Sequence, residues 1–170
     1  MQPLLITANE VQTLSRGMST QMDEKKILVY VRESEDIDIK SALGDGLFLD
    51  LKTSPSNYFD LLNGGEYDYC GSKRTFVGIK KALAYYSFAR IMKNGDYNVT
   101  RFGTTVKDSE YSSSAAYKEK VSAYNDAFSI ADSYLKECVR YLNDNKDKFP
   151  LYKGKGGLKA NRTVYKIIGE

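Results

Sequence analysis

Four acids lie within six residues: Glu33, Glu35, Asp36 and Asp38. A carboxylate pair can do acid–base work when burial raises the pKa of one member. On helical spacing these positions fall mainly on the outer side of their helix, so a solvated charged face is expected. A second acidic string, Glu66-Tyr67-Asp68-Tyr69, lacks the ligand spacing of a calcium loop and reads as a surface loop. Gly154-Lys155-Gly156-Gly157 has a superficial likeness to a phosphate cradle. A P-loop needs a preceding strand, two glycines at a set spacing, and Lys-Ser/Thr entering a helix, and this stretch offers none of them. Cys70 has no histidine to activate it, because the chain contains none. The same lack removes the commonest general base and the commonest metal ligand. The sequence therefore predicts no catalytic, cofactor-binding or metal-binding residues, and it points away from an enzyme.

What remains is a charge asymmetry. Residues 150–170 carry Lys153, Lys155, Lys159, Arg162 and Lys166 against the single acid Glu170, a side-chain sum of +4. The preceding residues hold 20 basic and 21 acidic side chains, a net of −1. Gly154, Gly156 and Gly157 loosen the backbone of this segment, which ends in the β-type string Thr163-Val164-Tyr165-Lys166-Ile167-Ile168. Two readings are open. Lysine and glycine could track the phosphates of a nucleic acid, or the apolar end could add to a groove or sheet edge of a partner protein. Val164, Ile167 and Ile168 favour the second, since phosphate contact alone does not need them. A third possibility is that the string folds back on its own body. Fourteen tyrosines supply the side chain that gives interfaces much contact area at low entropy cost, although half-buried packing accounts for most of them.

The elements that must position these residues are mainly helices. Thr7 and Glu10 have capping-box spacing, which predicts a short helix to about Ser15. Asp23 caps a second helix, with Ile27, Tyr30, Val31, Ser34, Ile37 and Ser41 on one face. Leu43-Gly44-Asp45-Gly46 interrupts it before a short piece with Leu47, Leu49 and Leu51. Pro55 then starts a one- to two-turn helix closed by Gly64-Gly65. Residues 66–72 read as a loop. A helix is expected over 73–93, with Phe76, Val77, Leu83, Ala84, Phe88 and Ile91 on its buried side. Residues 97–108, dense in threonine and valine, read as an extended segment or small β-hairpin. The last helix is the clearest. Tyr117, Val121, Tyr124, Phe128, Ala131, Leu135, Cys138 and Leu142 recur at alternating spacings of four and three, a seam for packing on a neighbouring helix. The fold expected is all-α, a bundle of three to four main helices with a small extended or β-hairpin insertion. It divides into a helical domain over 1–149 and an extended basic docking arm over 150–170.

A chain of 170 residues suits one domain with an appendage and needs no staples. Cys70 and Cys138 are too few for a disulfide scaffold and are expected to be small, buried, reduced side chains. No basic residue precedes the short apolar run Leu4-Leu5-Ile6, which argues against a secretory signal. No run approaches membrane-spanning length, so a soluble, intracellular chain without membrane contact is expected.

The acidic helix 34–41 followed by Ala42-Leu43-Gly44 and Leu47-Phe48-Leu49-Asp50-Leu51 resembles the opening of head–tail connector (adaptor, or head-completion) proteins of tailed bacteriophages. The helix Phe76–Met92, the link Val99-Thr100-Arg101-Phe102-Gly103, the long helix and the basic extension follow the same layout. The likeness covers about residues 5–150 and is closest to the neck ring proteins of phages infecting gut Bacteroidetes, including the crAss-like group. It implies a dodecameric homo-oligomeric ring beneath the portal protein, at the virion neck, assembled in the host cytoplasm. Such a ring extends the channel for genomic double-stranded DNA and presents a surface to other neck and tail proteins. The arm would dock on the portal through Lys153, Lys155, Lys159, Arg162, Tyr165, Ile167 and Ile168. Subunit contacts would use Tyr58, Tyr67, Tyr69 and Tyr97, with Arg101 and Phe102. The alternative from the residues alone is a small helical DNA-binding or regulatory protein that uses the basic tail on phosphates.

Overall fold

The structure is a computed structural model that describes residues 3–19, 21–95, 97–100, 103–106 and 117–154, with the backbone alone for 97–100, 103–106 and 117. It is mostly helical, with two short antiparallel hairpins. Helix α1 (Ala8–Leu14) starts from the expected capping box. The Thr7 N–H donates to Glu10 Oε2 at 2.8 Å, and the Glu10 N–H donates to Thr7 Oγ1 at 3.2 Å. Helix α2 (Glu24–Ser34) is capped by Asp23, whose Oδ1 accepts from the Lys25 N–H at 3.0 Å.

The path from α2 into α3 (Lys40–Leu43) departs from the expected register. Residues Glu35–Ile39 form a π-helical turn, in which the Lys40 N–H bonds to the Glu35 carbonyl five residues back. One extra residue per turn rotates everything after it. The buried face therefore runs Ile27, Val31, Ser34, Glu35, Ile39, Ala42 and Leu43. Ile37, expected inside, is 58% exposed, and Ser41 is also exposed.

Helix α4 (Asp45–Thr53) buries Leu47, Phe48 and Leu51 but leaves Leu49 exposed. A 3-10 turn at Pro55–Tyr58 leads into α5 (Phe59–Asn63), which ends at Gly64 as expected. Residues 66–72 are not a plain loop, and 73–78 are not helical. Strands β1 (Gly65–Tyr69) and β2 (Ser72–Phe76) pair antiparallel from Gly65 opposite Phe76 to Tyr69 opposite Ser72. Cys70 at φ 50° and Gly71 at φ 77° form the two-residue connection. Positive φ at both central residues is the mark of a type I′ hairpin turn. This puts Cys70 on the surface rather than in the core, and only Cys138 is buried.

Helix α6 (Ile79–Asn94) is the central element, with Ile79, Leu83, Tyr86, Phe88 and Ile91 buried. Strands β3 (Tyr97–Thr100) and β4 (Gly103–Val106) form the second hairpin, within the segment expected to be extended. Helix α7 (Tyr117–Asp144) packs antiparallel on α6, since ring contacts fall along α7 as they rise from the end of β2 into α6: Phe76 with Tyr141, Tyr85 with Tyr134, and Tyr86 with Phe128. The seam packs internally. Ala131, Cys138 and Leu142 are buried, while Val121, Tyr124, Phe128 and Leu135 are half-buried. The core does not stop at the expected boundary after Phe149, because Tyr152 is 6% exposed and belongs to it.

Candidate functional site

The π turn aims two acids inward, which corrects the expectation of a fully solvated acidic face. Glu33 and Asp36 are exposed as expected. Glu35 is 0% exposed; its Oε2 pairs with Lys52 Nζ from α4, and its Oε1 accepts from the Leu5 N–H at 2.5 Å. Lys52 Nζ also lies 5.5 Å from the centre of the Phe48 ring. One carboxylate thus ties the N-terminal segment, the π turn and α4 together.

Asp38, one turn on, faces Arg90 of α6, with 2.8 Å between its Oδ2 and Arg90 Nη1. The approach lies outside hydrogen-bond alignment, so the contact is an ion pair. Arg90 Nη1 donates instead to Ser34 Oγ at 3.0 Å, and Arg90 Nε lies 3.9 Å from Glu33 Oε2. Beside this group the Tyr86 hydroxyl donates to Asp132 Oδ1 of α7 at 2.5 Å. Burial, reinforced by Asp132, holds the Tyr86 phenol well above its ordinary pKa. Burial likewise raises the Asp38 carboxyl, only partly offset by Arg90 and aided by the charge of Asp132. Each inward acid meets a cation, which is the arrangement of a structural lock between elements. Asp38 does not line any of the three clefts described below.

The Asp38 shift has a testable sign. A carboxyl with a raised pKa in the fold holds its proton more tightly there than in the unfolded chain. Its contribution to stability therefore falls as pH rises from the unfolded value of about 3.9 to the raised folded value, and is flat above it. Relative to Asp38→Asn, the native chain is expected to lose stability over this acidic window, read by denaturant unfolding at a series of pH values. Identical pH slopes for the two chains would remove the effect.

The tyrosines expected at subunit contacts are divided by the fold. Tyr58 donates to Asp50 Oδ2, and its ring stacks on Phe149 with centroids 6.2 Å apart. Burial and the bond to Asp50 push its phenol up to about 12. The Tyr67 hydroxyl donates to Asp144 Oδ2 at 2.8 Å, an oxygen that also accepts from Arg74 Nη1 at 2.7 Å. The Tyr67 ring sits edge-on to Tyr141 at 4.9 Å. Both side chains are half-buried in internal contacts: Tyr58 ties the 3-10 turn to α4 and Phe149, and Tyr67 docks the β1–β2 hairpin onto the end of α7. Tyr69 remains exposed beside the hairpin tip, under the Arg74 guanidinium at 4.3 Å. The Tyr97 side chain and all of Arg101 and Phe102 lie outside the described residues. So do Lys155, Lys159, Arg162, Tyr165, Ile167 and Ile168 of the arm. Lys153, at its root, is exposed.

The sequence model of a family of unknown function, DUF6712, matches residues 39–162. The chain belongs to the DUF6712 family. No curated protein and no solved structure matches it. The DUF6712 match begins at the last residue of the π turn and runs past Gly154. Lys52, Arg90 and the exposed β1–β2 tip lie inside it, whereas the acids Glu35 and Asp38 precede it.

Sequence reasoning missed several surface features of this DUF6712 chain. Phe59 is 67% exposed on α5, the most open of the large apolar side chains described. It borders a cleft of about 340 Å³ with Tyr58, Tyr141, Lys148 and Phe149. A second cleft, of about 300 Å³, is lined by Met18, Met22, Phe88, Ile91, Met92 and Lys120. A third, of about 490 Å³, lies between α1 and the start of α6, where Lys80 pairs with Glu10 at 2.6 Å. Burial works to raise the Glu10 carboxyl, but the bonds from Lys80 and Thr7 outweigh it and hold the pKa low. Phe59 carried one signal in the sequence: an aromatic on a helix too short to bury two faces. The methionines carried none, because Met18 and Met22, between α1 and α2, meet Met92 of α6 only in the fold. Among the described residues there is no acid, cysteine or histidine cluster that could hold a metal ion, and no helix long and apolar enough to cross a membrane.

Proposed function

We propose that this chain is a non-enzymatic virion structural protein: a helical-bundle adaptor that forms a homo-oligomeric ring between portal and tail and extends the channel for double-stranded DNA. The observation that best supports this reading is the anchored root of the basic arm. Tyr152 is buried in the core, and its N–H donates to the Phe149 carbonyl at 2.9 Å. Lys153 and Gly154, at φ 74°, follow at once. An arm that leaves a fixed point on a packed body can deliver Lys155, Lys159, Arg162, Tyr165, Ile167 and Ile168 to a portal surface at a set height. The exposed β1–β2 tip offers a further contact for neck and tail proteins. Copy number would follow the portal, as in a dodecameric ring.

The test is cryo-electron microscopy and binding with the purified cognate portal protein. The full chain is expected to form a ring on the portal. A variant ending at Gly154 is expected to keep its melting temperature and lose portal binding. The cut belongs after Gly154, since one after Phe149 would also strip Tyr152 from the core. Full portal affinity without the arm would overturn the docking role. A monomer that ignores portal and shifts duplex DNA, with steep salt dependence, would move the assignment to the DNA-binding reading.

A further inference from the structure

The proposed ring requires a contact between copies, and two surface features fit one another. The first is a knob. Phe59 stands 67% exposed at the start of α5, with Asp60 beside it. The stretch 53–72 around it holds Asp60, Glu66 and Asp68 and no cation. The second is the methionine cleft between the segment after α1 and the C-terminal end of α6. At about 300 Å³ it has room for an aromatic side chain, and Lys120 is the one charged residue among those lining it. Lys26 reaches the same edge to donate to the carbonyl of Gly95, which also lines the cleft. Methionine surfaces adapt their shape to an aromatic partner and gain from sulfur–ring contact.

The two features cannot meet within one copy. Phe59 shares its cleft with Tyr141 near the end of α7, while the methionine cleft includes Lys120 near its start. At 1.5 Å of rise per residue these points lie roughly 30 Å apart along the helix. A knob at one end and a hole at the other make a head-to-tail contact, the kind that closes into rings when the rotation per copy permits and extends into filaments when it does not. We infer that Phe59 of one copy seats in the Met18–Met22–Met92 cleft of the next, with the acids of 53–72 toward the edge that holds Lys26 and Lys120. The inference rests on the homo-oligomer of the proposed function and names the surfaces that build it.

The experiment uses the full chain in analytical ultracentrifugation. Phe59 and Met92 are exposed at 67% and 38%, so Phe59→Asp and Met92→Asp are expected to fold, which circular dichroism melting checks. Ser19→Trp, which fills the cleft from its rim, stands in for Met92→Asp should that variant melt early. The native chain is expected to self-associate, and each variant to weaken this by about 30-fold or more, the effect of losing an interface anchor. The decisive step is mixing. Phe59→Asp keeps an intact cleft and Met92→Asp keeps an intact knob, so together they should form a one-to-one dimer and nothing larger. Native assembly that both variants leave unchanged would overturn this contact and leave the ring standing. Assembly blocked by both variants with no dimer on mixing would also overturn it, as a head-to-tail contact must complement. A native chain that stays monomeric at about 1 mM, where even a −4 kcal/mol contact half-forms, would overturn it as well. Self-association that behaves as expected in a chain that ignores portal would sink the adaptor reading and leave the contact.

Discussion

Lys52→Met is expected to destabilise the fold by about 3–5 kcal/mol, the usual cost of removing one partner from a buried ion pair. Glu35 is 0% exposed and keeps only the Leu5 N–H once Lys52 is gone. Its charge then sits fully buried, with only the Leu5 amide against it among the described residues. Methionine replaces the lysine stem with a similar apolar volume, so the loss reports charge rather than a cavity. The double variant Glu35→Gln, Lys52→Met separates the two causes. Glutamine still offers a carbonyl oxygen to Leu5 but carries no charge, so the pair of changes should recover most of the loss. Equilibrium denaturation of the three chains checks this. A double variant as unstable as the single would mean that packing, not charge, holds the site. Because Glu35 also holds Leu5, hydrogen exchange in residues 3–7 should rise in Lys52→Met alone.

How the sequence could be read, and where it could not, follows from the range of the interactions. The Thr7–Glu10 box, the Asp23 cap, the Gly64 stop and the α7 seam are set by residues within a few positions of one another, and each lies where the spacing puts it. The π turn does not work that way. Residues 34–41 carry a sound α-helical pattern, and the pattern loses because Glu35 gains Lys52 from 17 positions away and the Leu5 amide from 30 away. A tertiary ion pair selected the register, and with it Ile37 moved out and Ile39 in. The β1–β2 hairpin was hidden for a different reason. Cys70-Gly71 is a poor version of the usual Asn-Gly turn signal, and Phe76 fits a helix face as well as it fits the inward side of a strand. Its burial was foreseen and its element was not. The candidate surfaces divide in the same manner. Composition exposes the basic arm, because charge adds along a chain. The methionine cleft is assembled from residues 18, 22 and 92 and becomes visible only in three dimensions.

Gly78→Ala is expected to cost about 4 kcal/mol, in the range reserved for backbone strain combined with a steric clash. Gly78 precedes α6 at φ 81°, a conformation that costs an L-residue about 1–2 kcal/mol by itself. The larger part is contact. A Cβ there would lie 2.4 Å from Gly64 N, 2.5 Å from Asn63 C and 2.6 Å from Leu62 O, all backbone atoms that cannot rotate aside. Gly64, at φ 82°, meets the mirror problem, with Phe76 O and Val77 C each 2.5 Å from its Cβ. The two glycines let the end of α5 and the start of α6 touch backbone to backbone, and this closes the base of the β1–β2 hairpin. Gly71 supplies the control. It has nearly the same φ, 77°, yet nothing lies within 4 Å of its Cβ, so Gly71→Ala should cost about 1 kcal/mol from conformation alone. Thermal unfolding of the two variants isolates the steric share as their difference. Equal losses would mean that the two segments can part without penalty. A large difference would make the Gly64–Gly78 crossing the point that fixes the hairpin against the helical body, and hence the reach of its exposed tip, Tyr69 and Cys70, toward a neighbouring protein.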